Sequence, residues 1–301
     1  MVLTLNPKIK FSRSGGVLLL GWLLLMSPAF GYVRVEQVTE ILTLNGERAE
    51  IKSLILLEGD KKRIDSTIRT LGPAAHAPPS QGTQQVTIVR LDKELIWKVN
   101  RIDRTHTERT FASLREKEGG QAPTAPVVKI EAGGERKQIN GYPTESYLLT
   151  LAGGKEESGP QGPDGFTLVS RVWMTRETSQ AINKLREFDR KLHAKLGAWE
   201  DLEADGRPFL TEGDTSLERG WPELQKAIRT LPGYPIRVET QVLDPLTPST
   251  AGGAERSRSP LPRMQVITEV KGIYTSVVFC SCTDKEKLFE LWGAFRNLQA
   301  P

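Results

Sequence analysis

The sequence predicts a mainly β fold of the α+β class: one antiparallel sheet with two or more helices laid against it. Three observations carry this. Beyond residue 31 the apolar residues recur mostly at period two. Short polar corners separate successive runs, as in hairpins. Two segments change to helical spacing, and each shows an apolar stripe.

The elements follow in order. Val33, Val35, Val38 and Ile41 open a strand. Ile51 to Leu57 is a second, turning at Gly59-Asp60 and returning through Arg63-Ile64-Asp65. Val86 to Arg90 meets a corner at Asp92-Lys93-Glu94, then Leu95 to Asn100 meets another at Asp103-Arg104. Further strands are expected at Val127 to Ala132, Tyr147 to Leu151, Phe166 to Met174, Ile236 to Leu243 and Met264 to Phe279. In the Ile236 run, Ile236, Val238, Thr240 and Val242 point one way and Arg237, Glu239 and Gln241 the other. A sheet with one buried and one wet face requires that pattern.

One helix is expected from Ser179 to Trp199, with Ile182, Leu185, Phe188, Leu192, Leu196 and Trp199 on one stripe. A last helix is expected from Asp284 to Leu298, with Leu288, Leu291, Trp292, Phe295 and Leu298 on one face. Thr283 and Glu286 form a capping box at its start. Stripes this broad must be covered, by the sheet, a partner or a membrane surface.

Four spacers, residues 72–84, 118–126, 153–165 and 245–262, are too polar or too rich in Pro and Gly to pack. Read as interdomain linkers, they would leave pieces mostly too small for separate cores. Residues 32–301 are therefore expected to form one domain with long surface loops.

Residues 1–31 read as a secretory signal. Lys8, Lys10 and Arg13 precede the apolar run Val17 to Met26, and Ala29-Phe30-Gly31 supplies small residues around an expected cleavage after Gly31. The run falls short of the roughly 20 residues that span a bilayer. An uncleaved anchor is the competing reading. The exported chain is then expected in the periplasm. Losing the three basic residues with the leader lowers the net charge from +4 to +1. The basicity reports targeting, and the short runs Lys61-Lys62-Arg63 and Arg256-Ser257-Arg258 do not amount to a nucleic-acid surface.

The order of segments resembles a bacterial family of exported proteins carrying a domain of unknown function. The resemblance rests on Val86 to Asn100 followed by Asp103-Arg-Thr-His-Thr-Glu108, and on Lys137-Gln-Ile-Asn-Gly-Tyr-Pro-Thr-Glu-Ser-Tyr147 leading to Val172-Trp173-Met174-Thr175. It covers roughly residues 32–200. The family is similar to the outer-membrane lipoprotein-carrier (LolA/LolB-like) fold group. This implies an unclosed antiparallel β half-barrel whose concave face, covered by helices, can hold acyl chains. Thr144 stands where a Gly-Tyr-x-Cys variant of the family carries cysteine, which removes thiol chemistry at that point.

A carrier gains about 0.8 kcal/mol for every CH₂ it removes from water. Ile88, Leu95, Trp97, Val99, Tyr147, Leu149, Val172 and Met174, alternating in phase along their strands, are the candidates for the concave face. Such residues also fill the packed core of any sheet. Lipid or a lipidated protein is one expected partner and an envelope protein another.

Chemistry has few footholds. Cys280 and Cys282 sit just before the last expected helix, where a thiol pKa is lowered. They can be a strained disulfide, a redox pair, or buried or intermolecular thiols. Asp189 and His193 are spaced i, i+4, which suits a carboxylate orienting an imidazole and equally a solvent-edge ion pair. His76 and His106 share no metal-ligand spacing with them. No cofactor is called for. The sequence points to a non-enzymatic binder or carrier, with a structural or protein-interaction module of the envelope as the alternative.

Overall fold

The computed structural model describes residues 30–44, 46–71, 83–116, 127–153, 166–196, 215–243 and 262–278. The signal segment up to residue 29, nearly all of the four spacers, His76, Trp199, Cys280, Cys282, the capping box and the expected C-terminal helix lie outside these.

Among the described residues there are eleven strands: β1 (Phe30–Thr43), β2 (Arg48–Glu58), β3 (Lys61–Leu71), β4 (Thr83–Arg90), β5 (Leu95–Asn100), β6 (Thr105–Thr110), β7 (Val128–Ile139), β8 (Tyr142–Gly153), β9 (Phe166–Thr175), β10 (Tyr234–Leu243) and β11 (Pro262–Val278). They form one antiparallel sheet in the order β6-β5-β4-β3-β2-β1-β11-β10-β9-β8-β7. The two ends do not pair, so the sheet is unclosed, as the family resemblance implies. Consecutive strands are neighbours everywhere except between β6 and β7. The first and last strands meet in the middle, where Phe30 and Gly31 pair with Val278 and Val277.

Local chemistry explains the turns. Ile139 pairs with Tyr142, leaving Asn140-Gly141 as a two-residue hairpin loop with φ of 50° and 88°. Two successive positive φ values describe a type I′ turn, for which Asn-Gly is the preferred pair. This is the Ile-Asn-Gly-Tyr of the sequence resemblance. The expected strand ending at Ala132 runs on to Ile139, because Gly133 to Glu135 are accommodated as a bulge facing Ser146. A Cβ on Gly133 would stand 2.3 Å from Ser146 Oγ, so a side chain there would close the bulge.

Directly paired residues share a face, so the register assigns every side chain of the β1 half. On the first face lie Val33, Val35, Gln37, Thr39 and Ile41 of β1, Ala49, Ile51, Ser53, Ile55 and Leu57 of β2, Lys62, Ile64, Ser66 and Ile68 of β3, and Val89 and Ile96 beyond. Helices cover this face. α1 (Phe111–Glu116) is capped by Thr110, whose Oγ1 accepts the Ser113 N–H at 3.1 Å. α2 (Gln180–Leu196) is capped by Ser179, whose Oγ accepts the Ile182 N–H at 3.2 Å. Ile182, Leu185, Phe188, Leu192 and Leu196, the expected stripe, are all buried against Val33, Val35, Ile55, Leu57, Ile64, Val89 and Ile96.

A third helix, α3 (Thr215–Thr230), was not predicted. Pro222 lies inside it and removes one backbone hydrogen bond, which at sequence level reads as a break. Trp221, Leu224, Ala227 and Ile228 nevertheless make a stripe, buried against Ile41, Ile51, Leu149, Leu151, Val172 and Val266. Burial of several large side chains, at about 1.5–3 kcal/mol each, outweighs the cost of one proline.

Candidate functional site

The covered face is divided in two. At one end of the strands lies the apolar half under α2, at the other the half under α3. Between them runs a polar row: Gln37, Ser53, Ser66 and Gln85 are aligned as cross-strand partners on β1, β2, β3 and β4. Ser53 and Ser66 are buried and share a hydrogen bond of 3.0 Å. Thr39 and Thr268, and further along Ser170 and Thr240, make the same kind of pair at 3.0 Å each. Paired hydroxyls satisfy one another and allow polar groups to sit in a buried face at little cost.

A cavity of about 110 Å³ opens where α3 meets this face. The sheet supplies Gln37, Thr39 and Ile41 from β1, Ile51 from β2, Ile236, Val238 and Thr240 from β10, and Val266, Thr268 and Val270 from β11. The helix supplies Trp221, Gln225, Ile228 and Arg229. Its wall mixes the two kinds: Thr39 pairs directly with Ile51, Gln37 with Val270 and Thr240 with Val266, so polar and apolar lining residues stand side by side.

The eight sequence candidates divide between two places. Leu149, Val172 and Met174 are buried in the cluster under α3, with Tyr147 packed at its edge. Ile88, Trp97 and Val99, with Leu95 at the edge, form a separate cluster. The register puts that cluster on the opposite face, because Ile88 and Trp97 pair with each other and Ile88 pairs with Arg63, which alternates with Lys62 and Ile64. The phase assigned to β4 and β5 from sequence was off by one residue: Val89 and Ile96, both nearly fully buried, are the inward positions there. Strands apolar on both faces carry no alternation from which to read the inward side. None of the eight lines the cavity. Its lining was missed because Gln37, Thr39, Thr240 and Thr268 read as ordinary polar strand positions, and α3 was not expected.

Other residues singled out in the sequence lie on described elements. Asp189 lies 3.4 Å from the ammonium of Lys62, whose side chain is 5% exposed and stands 5.6 Å from the Phe188 ring. His106 is on β6, opposite Val99. Thr144 is buried, and its hydroxyl donates to the Lys137 carbonyl at 2.7 Å, fastening β8 to β7. Among the described residues there is no group of three or more His, Cys, Asp and Glu placed to hold a metal. No helix among them is long and apolar enough to cross a membrane.

One electrostatic knot fixes the β7–β8 hairpin to the centre of the sheet. Asn140 Nδ2 donates to Glu269 at 2.9 Å and to the Val270 carbonyl at 2.8 Å, while Arg237 and Lys271 also bond the Glu269 carboxylate. Burial pushes the Glu269 pKa upward, but bonds from Lys271 and Asn140, with the charges of Lys271 and Arg237, outweigh it and hold the carboxyl below its usual range.

No family model and no curated protein matches the sequence. Among solved structures the chain is similar to a domain described as an outer membrane lipoprotein-sorting protein from Vibrio parahaemolyticus. The identity is 8%, the coverage 86% of this chain and 91% of that one, and the TM-score 0.26. It is similar also to a LolA superfamily protein from Nitrosomonas europaea, at 8% identity over 87% and 91% of the two chains and a TM-score of 0.24. The unclosed antiparallel sheet rests on the strand order and register of this chain alone.

Proposed function

We infer that this chain is a non-enzymatic, exported binder of a hydrophobic ligand, acting as a single domain in the cell envelope. Its ligand's apolar chain enters the covered face beneath α3. The cavity between α3 and β1, β10 and β11 carries this reading, since its wall sets hydroxyl and amide groups directly beside apolar side chains. An amphipathic molecule such as a fatty acid or lipid presents the same two kinds of group.

At about 110 Å³ the cavity is below the roughly 300–1,000 Å³ of sites that engulf a whole small ligand. A long acyl chain is accommodated only as α3 moves outward, so Trp221 and Ile228 act as displaceable fillers of the space the ligand takes. Each CH₂ that replaces them contributes about 0.8 kcal/mol.

The test is a titration of the purified mature chain with saturated fatty acids of increasing length, read by tryptophan fluorescence. Saturable binding that tightens with chain length is expected, and Ile51→Trp, which fills the cavity, weakens it at least tenfold. Absence of saturable binding, or an Ile51→Trp variant that binds as tightly as the parent, sinks the reading. Mass spectrometry of the exported protein should find lipid carried through purification and an N-terminus at Tyr32.

The second reading, an envelope interaction module without a ligand, is favoured by the extent to which α2 and α3 already fill the covered face. A stable protein partner together with a lipid-free preparation would select it.

A further inference from the structure

The two edges of the sheet differ. At one end β6 is Thr-His-Thr-Glu-Arg-Thr and offers a neighbour no apolar side chain. At the other end β7 is the last strand, so alternate N–H and C=O groups along it face outward with no further strand among the described residues. Its register with β8 sets the two faces. Val128, Ile130 and Ala132 pair with Leu151, Leu149 and Tyr147 on the side covered by α3, while Lys129 and Glu131 pair with Thr150 and Leu148 on the other. Ile130 is 42% exposed although its partner Leu149 is 0% exposed, because β7 has a neighbour on one side only. The bulge at Gly133 to Glu135 ends the regular stretch and leaves residues 128–132 as the pairing edge.

We propose that this edge pairs with the same edge of a second copy of the chain, antiparallel about a two-fold axis at Ile130, so that two sheets join into one. In that register the edge is complementary to itself. Ile130 meets the partner's Ile130, Val128 meets the partner's Ala132, and Lys129 and Glu131 meet the partner's Glu131 and Lys129. Opposite charges facing each other across two strands stabilise the pairing, and like charges there oppose it. Neighbouring registers are rejected on the same ground. A slip of two residues one way sets Lys129 against the partner's Lys129, and the other way Glu131 against the partner's Glu131. A slip of one residue sets the α3-covered face of one copy beside the opposite face of its partner. The charges are already in place in the single chain, where Lys129 and Glu131 bond each other along the strand at 2.8 Å and remain 70% and 48% exposed.

A two-fold contact of this kind closes on itself, so it yields a dimer and not a filament. A ladder this short makes a small interface, and the dimer is expected to dissociate on dilution. No β7 residue lines the cavity, so the dimer and the ligand stand or fall separately.

The test is sedimentation equilibrium of the purified mature chain over a range of concentrations. A reversible dimer is expected for the parent. Lys129→Glu sets two pairs of carboxylates opposite each other and Glu131→Lys two pairs of ammonium groups, so each should weaken self-association by about tenfold or more. An equimolar mixture of the two variants restores both opposite-charge pairs and should dimerise as the parent does, which also shows that both variants fold. A parent that stays monomeric up to its solubility limit overturns the proposal. So does a dimer that either charge reversal leaves unchanged, or a mixture as weak as the single variants, since the contact then lies elsewhere.

Discussion

Ser53 Oγ and Ser66 Oγ stand 3.0 Å apart across β2 and β3, buried at the midpoint of the helix-covered face. The pair separates the two apolar halves, so its energetics report on how that division is held. Removing one hydroxyl leaves the other buried without its partner, and Ser53→Ala or Ser66→Ala should each cost about 1–3 kcal/mol. The double variant should recover most of that loss, because two methyl groups in place of two mated hydroxyls strand no polar atom. Urea unfolding of the four proteins measures the coupling, and additive losses would contradict the pairing.

Lys62 and Asp189 join β3 to α2. Asp189→Ala leaves a nearly buried ammonium short of an anion and should destabilise by about 1–3 kcal/mol. Lys62→Met keeps the stem packed against Phe188 and removes the charge, so it should cost less than Asp189→Ala. The reverse ranking in denaturant midpoints would mean that Lys62 stabilises mainly through its other interactions.

Gly233, in the link from α3 to β10, has φ of 114°, and a Cβ there would stand 2.3 Å from the Thr175 carbonyl oxygen. Gly134 in the β7 bulge has φ of 71° with nothing within 4 Å. Both alanine variants carry a backbone penalty of about 1–2 kcal/mol. Only Gly233→Ala adds a collision with backbone, so its melting temperature should fall clearly further than that of Gly134→Ala.

Acid stability should depend on Glu269 and Asp92. Bonding from Arg90 lowers the Asp92 pKa against the opposing effect of burial, and Glu269 is lowered by the knot around it despite its burial. A carboxyl lowered on folding adds stability above its unfolded pKa, about 3.9 for Asp and 4.3 for Glu, and loses it as pH falls through the folded value. The parent should therefore lose urea resistance below about pH 4. The Glu269→Gln and Asp92→Asn variants should be weaker at pH 7 and show a flatter decline. A variant with the parental acid limb would remove that carboxyl from the account.

The sequence was legible where local rules decide. The β2–β3 turn at Gly59-Asp60, the β4–β5 and β5–β6 corners and the α2 stripe each follow from a few adjacent residues, and the structure places them as expected. The Asn140-Gly141 turn is equally local. What failed was decided at a distance. β6 is Thr-His-Thr-Glu-Arg-Thr, without an apolar residue, and is a strand because β5 offers it an edge. α3 tolerates Pro222 because the sheet buries Trp221 and Leu224. The inward face of β4 and β5 was unreadable because Val86 and Ile88 are as buried as Val89. The cavity was invisible for the same kind of reason: Gln37 and Thr268 are 231 positions apart and meet only through the β1–β11 pairing.

That central pairing governs how the molecule is assembled in time. Val33 finds its β11 partner only at Thr275, so the first strand to be made is among the last to be paired on that side. Until then β1–β6 and β7–β10 are two separate strand arrays, each with an open edge where the other will join. Contacts this distant in sequence are slow to form, and open strand edges recruit other chains. Folding should thus be limited by the docking of β11 between β1 and β10. The interval before that step is when the chain is most exposed to aggregation, and a substitution in β11 should slow folding more than the same substitution in the local β2–β3 hairpin.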